Sequence, residues 1–108
     1  MVFEHQNNIL KIKIENRTFI DSFNVEFIKK KYLNHDIIFI IDFLIDPNLI
    51  DALCVLTKEL KKVNCCLLIV VNIIDEVLLN EESVLFVPSL EEAIDYIELE
   101  RINKDLDL

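Results

Sequence analysis

The stretch from residue 37 to residue 60 constrains the fold of this chain more than any other part of it. It begins with an unbroken apolar run, Ile37 to Ile41, and passes two aspartates, Asp42 and Asp46, before a helical pattern starts. A strand that is buried on both faces reads as a continuous apolar run. An Asp-Pro pair is a strong helix start, because Asp caps free amides and Pro suits the first helical position. The stretch therefore predicts a central parallel strand, a short loop and a helix that packs back on the sheet.

The remaining periodicity predicts an α/β fold with a mixed, four- to five-stranded sheet and the element order β-β-α-β-α-β-α-β-α. The 108 residues are of the size of one domain, so we expect residues 1–108 to form a single unit. The predicted strands are Val2–His5, Ile9–Ile14, Asp36–Asp42, Cys65–Val71 and Val84–Val87. The predicted helices are Asp21–Leu33, Pro47–Val63, Ile74–Leu79 and a last helix that begins at the capping box Ser89–Glu92 and ends near Asn103. The tail beyond residue 103 is expected to fray.

The chain contains no glycine. This absence excludes the phosphate-binding loops that need bare backbone, of both the Walker and the dinucleotide type. Another residue must also take the left-handed conformations of turns and helix ends, and Asn is the next best. We therefore predict a tight hairpin at Asn7-Asn8, and positive φ angles at Asn34, Asn64 and Asn80, each of which follows a helical pattern.

Charge and composition exclude several classes of function. The formal net charge is −9, which disfavours binding to nucleic acid or to an anionic membrane surface. No apolar run approaches the roughly 18 residues that a membrane span needs. The first residues have neither a basic region nor an apolar signal core, so a cytoplasmic location is expected. The three cysteines, Cys54, Cys65 and Cys66, are predicted to be buried reduced thiols, and the spacing of the adjacent pair does not suit a metal site.

Two carboxylates, Asp42 and Asp46, are the only candidates for chemistry near the end of the central strand. Such a pair resembles the acidic pocket of response-regulator receivers, which bind Mg²⁺ and are phosphorylated on Asp. A receiver, however, has its acid pair after the first parallel strand and a Lys before the Pro of its last loop, where this chain has Val87 before Pro88. A helix cap explains Asp46 better. No His, Ser or Lys converges on the pair, so we predict no catalytic residue, no metal and no cofactor.

Three stretches follow the pattern of one known family. They are Thr18–Asp21, which leads into a helix; the apolar strand that ends at Asp42 before the Asp46 helix; and Phe86–Ile94, with its Pro, its hydroxyl residue and its Glu-Ala pair. Together with the element order they resemble the STAS family, named for sulfate transporters and anti-sigma factor antagonists. The acidic stretch Tyr96–Leu106 is also similar to the tails of short bacterial members. The resemblance implies a regulatory domain that binds another protein, such as an anti-sigma factor or a kinase-like regulator.

The chain departs from this family where the family is regulated. STAS antagonists begin the second helix with Asp-Ser-Ser-Gly or Asp-Ser-Thr-Gly, and a partner kinase phosphorylates a hydroxyl there. This chain has Asp46-Pro47-Asn48-Leu49, so Asn48 stands at a lost phosphosite. The resemblance implies a partner-binding surface of Leu44, Ile45, Asp46, Pro47, Asn48, Asp51 and Val55. The alternatives are a structural or small-ligand-binding domain of the same fold and, less well supported, a receiver-like Asp phosphoacceptor.

Overall fold

The computed structural model describes residues 3–6, 8–16, 18, 20, 26, 30–31, 35–43, 45–63, 65–71 and 84–106, with only the backbone of 3–6 and 104–106. These residues include five strands, β1 (Phe3–Gln6), β2 (Ile9–Ile14), β3 (Asp36–Ile41), β4 (Leu67–Val71) and β5 (Leu85–Val87). They also include two helices, α1 (Pro47–Lys61) and α2 (Leu90–Leu106). Thr18, Ile20, Glu26, Lys30 and Lys31 are helical as well. The predicted helix Ile74–Leu79 lies outside the described residues.

The strands form one sheet in the order β1-β2-β3-β4-β5. β1 is antiparallel to β2, whereas β2, β3, β4 and β5 are mutually parallel. The fold is therefore α/β. The prediction of a central parallel strand that begins at residue 36 is confirmed, although it ends at Ile41 rather than Asp42, because β3 pairs with β2 on one side and with β4 on the other.

A two-residue turn joins the antiparallel pair, since Gln6 pairs with Ile9. Asn8 has a φ of 61° and is the one non-glycine residue with positive φ in the described part of the chain. This confirms that Asn supplies the left-handed conformation of the hairpin. Asn34, Asn64 and Asn80, for which the same conformation is predicted, lie outside the described residues.

The two helices pack on opposite faces of the sheet. Ile37, Phe39 and Ile41 of β3 belong to a first core cluster that includes the buried leucines of α1. Ile38, which points to the other face, belongs to a second core cluster that includes Ala93 and Ile97 of α2. Because successive side chains of a strand point to opposite faces, the described elements form three layers, with the sheet between α1 and α2.

β2 and α1 each bury one face, in line with the apolar periodicity of their sequences. Leu10, Ile12 and Ile14 of β2 are buried, while Lys11 is half-buried and Lys13 is exposed. On α1, the periodic stripe of Leu49, Leu53, Leu56 and Leu60 is buried, together with Ile50, whereas Val63, which continues the stripe in sequence, lies beyond the helix end and is half-buried. Full burial of one leucine contributes about 1.5–3 kcal/mol, so this stripe fixes α1 on the sheet far more firmly than helix propensity does.

Several predicted boundaries differ from the structure. Thr18 and Ile20 are already helical, ahead of the predicted start at Asp21, because packing of Ile20 in the first core cluster outweighs its preference for strands. α1 ends at Lys61 rather than residue 63, and the N–H of Cys65 then donates to the carbonyl of Leu60 at 2.9 Å.

α2 continues to Leu106, three residues beyond the predicted end, because no Pro or Gly stops it. The prediction of three buried thiols is correct for Cys65, whereas Cys54 and Cys66 are half-buried. None of the three forms a disulfide.

Candidate functional site

The candidate site is built on the start of α1, at the carboxyl edge of the sheet, where β3 ends. Asp46 has an extended backbone conformation, with φ −96° and ψ 168°, and its Oδ1 accepts a hydrogen bond of 2.7 Å from the N–H of Leu49. Pro47 is the first helical residue. The predicted cap is confirmed, and it fixes the direction in which the helix leaves the sheet.

Five of the seven residues predicted to bind a partner are exposed, and we call them the α1 surface: Asp46, Pro47, Asn48, Asp51 and Val55. Asn48, Asp51 and Val55 are three and four positions apart, so they share the face of the helix that points away from the sheet. Val55 is 61% exposed. The α1 surface thus combines a polar helix start with one exposed apolar side chain.

The other two predicted residues do not belong to this surface as described. Ile45 is half-buried and packs against the first core cluster. Phe43, two positions earlier, does the same. The short loop between β3 and α1 turns both side chains toward the sheet, so Ile45 is only partly accessible, and its assignment to the partner-binding surface stays a prediction. Leu44, between them, lies outside the described residues.

The helix start is poorly suited to binding an anion. Helix N-termini attract phosphate through their free N–H groups. Here Pro47 has no N–H, and the N–H of Leu49 is already bound to the Asp46 carboxylate, which is itself negative. Asn48 has no hydroxyl to accept a phosphoryl group. The nearest hydroxyl on α1, that of Thr57, donates to the carbonyl of Leu53 at 2.8 Å and lies far from the helix start.

Asp42 lies at the same edge of the sheet and has a cationic neighbour. Its Oδ2 is 3.9 Å from Nζ of Lys13, the next-to-last residue of the neighbouring strand β2, and both side chains are about half exposed. An exposed ion pair at this distance contributes little to stability. Within the described residues, no group of three or more His, Cys, Asp or Glu side chains is placed to hold a metal ion.

Within the described residues, a polar network lies at the opposite, amino edge of the strands, and no pattern in the sequence predicts it. Oδ1 of the buried Asp36 accepts from the N–H of Cys66 at 3.0 Å. Its Oδ2 accepts from Nε and Nη2 of Arg101 at 3.1 and 2.9 Å. The carbonyl of Asn8 accepts from the Asp36 N–H and from Arg101 Nη2, both at 2.9 Å.

This network, which we call the Asp36 network, joins the first hairpin, β3, the start of β4 and α2. Tyr96, beside it on α2, has a pKa raised above 10.0, first because it is partly buried and then because the Glu100 charge opposes a phenolate. Nothing in the spacing of the sequence pairs residues 36 and 101. The only local signal is an Asp placed directly before an apolar strand, where a carboxylate needs a partner if it is to be buried.

Comparisons of the chain with protein-family models, with characterised proteins and with solved structures found no match. Among the described residues, no helix is long and apolar enough to span a bilayer.

Proposed function

We propose that this chain is a non-enzymatic protein–protein interaction domain that resembles a STAS-type anti-sigma factor antagonist of a bacterial partner-switching circuit, without the phosphorylatable switch. The observation that carries the proposal is the α1 surface, where a capped helix start presents Asn48, Asp51 and the 61% exposed Val55 on one outward face. Transient protein–protein interfaces are about as polar as the rest of a protein surface, so this mixed polar and apolar face suits a protein partner.

The missing hydroxyl determines how such a surface behaves. In the STAS circuit, the unphosphorylated antagonist binds its partner, and a phosphoryl group at the helix start breaks the contact through charge and bulk. Asn48 is uncharged and similar in size to an unmodified side chain. The α1 surface is then permanently in its binding form, and any regulation must act on the partner or at another site.

The test is a calorimetric titration with a kinase-type anti-sigma factor encoded beside this chain. Asn48→Asp places a charge where the phosphoryl group would stand, and we expect it to weaken binding by about tenfold, or about 1.4 kcal/mol. The fold should tolerate it, because a negative charge suits a helix start. Asn103→Asp makes the same chemical change on the opposite side of the sheet and should leave this affinity unchanged.

Val55→Arg tests the apolar part of the same surface and should weaken binding by at least as much as Asn48→Asp. Leu53→Ala is the control for unfolding, because Leu53 is fully buried and its truncation costs roughly 2–5 kcal/mol of stability. If a partner binds and neither surface variant weakens it while the fold is intact, the binding face lies elsewhere. If no protein of this class binds, the structural or small-ligand-binding alternative is preferred.

A further inference from the structure

α2 carries apolar side chains on two of its faces, although the sheet covers only one. Ala93 and Ile97 are buried in the second core cluster. Leu99 and Ile102 are 58% and 54% exposed, and their separation of three residues places them side by side on the outward face. The described residues include two further exposed large apolar side chains, Val55 and Leu85, but each belongs to a different element. The pair on α2 is therefore the most concentrated exposed apolar feature of the described chain.

The exposed charged side chains that the structure describes on α2 are all acidic. Glu91, Asp95 and Glu98 are exposed on α2. Arg101, by contrast, turns toward the sheet, where it binds Asp36. The whole chain has a net charge of −9. Two copies that met through this face would bring like charges together, which costs affinity, whereas a basic partner would gain both attraction and a faster encounter.

We propose that Leu99 and Ile102, flanked by Asp95 and Glu98, dock a basic amphipathic helix of a partner protein. We call these four residues the α2 surface. The two apolar side chains supply the contact that excludes water, and the flanking carboxylates meet lysine or arginine side chains on the edges of the incoming helix. Because α1 and α2 lie on opposite faces of the sheet, this site is independent of the α1 surface, and both can be occupied at once.

The test uses a defined probe, a synthetic helical peptide with Leu at its apolar positions and Lys on both flanks. Binding to the full chain is measured by fluorescence anisotropy at physiological ionic strength and again at high salt. We expect Leu99→Ser and Ile102→Ser each to weaken binding by about tenfold or more, because both keep the charge and remove the apolar contact. Glu98→Gln should weaken binding less, and it should reduce the dependence on salt.

Matched controls separate this site from non-specific attraction to an acidic protein. Leu85→Ser removes an exposed leucine from β5, and Glu59→Gln removes an exposed carboxylate from α1, so both should leave the affinity within about twofold. Circular dichroism of every variant checks that the fold is retained.

Three results would overturn the proposal. The first is that the Leu99→Ser and Ile102→Ser proteins are folded and bind the peptide as tightly as the wild type does. A second is equal binding of a peptide in which Ser replaces every Leu, because charge alone would then account for the contact. The third is a dimer of the wild-type chain in sedimentation that Ile102→Ser makes monomeric, because the occupant would then be a second copy. A failure of the α1 surface experiments affects none of these outcomes.

Discussion

Removing the charge of Asp36 tests whether the Asp36 network holds the second layer of the fold in place. Asp36→Asn keeps the size and shape of the side chain. Its amide oxygen can still accept from the N–H of Cys66, but its NH₂ group then faces the guanidinium of Arg101, donor against donor. In the flipped orientation the oxygen accepts from Arg101 and the NH₂ group faces the N–H of Cys66, so either orientation places donor against donor on one side and removes the ion pair.

The magnitude follows from how much water reaches the two side chains. Asp36 is 13% exposed and Arg101 is 34% exposed, so the pair lies between a surface ion pair, worth about 0–1 kcal/mol, and a buried one, whose disruption costs about 3–5 kcal/mol. Arg101 can turn partly toward water, which lowers the cost. We expect Asp36→Asn to reduce the free energy of unfolding by about 2 kcal/mol. For a domain of this length that corresponds to a fall in Tm of roughly 8 °C.

The assay is urea unfolding followed by circular dichroism, applied to Asp36→Asn, Arg101→Met and the double variant. The two single changes should be coupled, with the double variant losing clearly less than the sum of both. Lys62→Met breaks the mostly exposed pair between Lys62 and Glu59, which spans 3.3 Å, and should cost less than about 0.5 kcal/mol. Two results would show that the network contributes no more than an ordinary surface pair. In one, Asp36→Asn and Arg101→Met each lower the free energy of unfolding by less than Lys62→Met does. In the other, the loss of the double variant equals the sum of the two single losses.

Two further predictions concern α2. Ser89→Ala removes the acceptor of the 3.2 Å bond from the N–H of Glu92 and should cost about 1 kcal/mol in the same unfolding assay, whereas an unchanged midpoint would mean that the cap is not needed. The pKa of Tyr96 is raised by burial and by Glu100, so the folded state favours the neutral phenol. The contribution of Tyr96 to the free energy of unfolding is therefore complete below the unfolded-state pKa of about 10. Stability should therefore fall as the pH rises through the folded-state pKa, and Tyr96→Phe should reduce that fall; an identical alkaline profile of the variant would contradict this.

The elements that could be predicted from the sequence are those whose side chains repeat with one period. The alternation of β2 and the leucine stripe of α1 report burial directly, because each element shows the core one set of positions, and the unbroken apolar run of β3 reports burial on both faces. The caps at Asp46 and Ser89 were predictable for a different reason. Each depends on residues at most three positions apart, so the complete interaction lies within a short window of sequence.

The features that escaped prediction depend on tertiary packing. The Asp36 network joins residues 65 positions apart, and no local pattern reports such a pair. Ile45 reads as a loop residue next to a helix start, yet the short loop turns it onto the core, so its burial is set by the length of the loop and not by its neighbours. Leu99 and Ile102 differ from expectation in the other direction, since they are more exposed than apolar residues of a helix usually are. Only the placement of α2 on the sheet shows which of its apolar side chains stay uncovered.

Stability and recognition involve different side chains of the same two helices, and this separation is what makes the proposed surfaces testable. α1 is fixed by buried side chains such as Leu53, and α2 by Ile97, while Val55 and Leu99 are each more than half exposed. Substitutions at exposed positions usually change stability by less than about 0.5 kcal/mol. A loss of binding at Val55 or Leu99 in a protein with unchanged stability would therefore report a contact with a partner. The Asp36 network predicts the opposite pattern, because its residues hold α2 on the sheet and their loss lowers stability first.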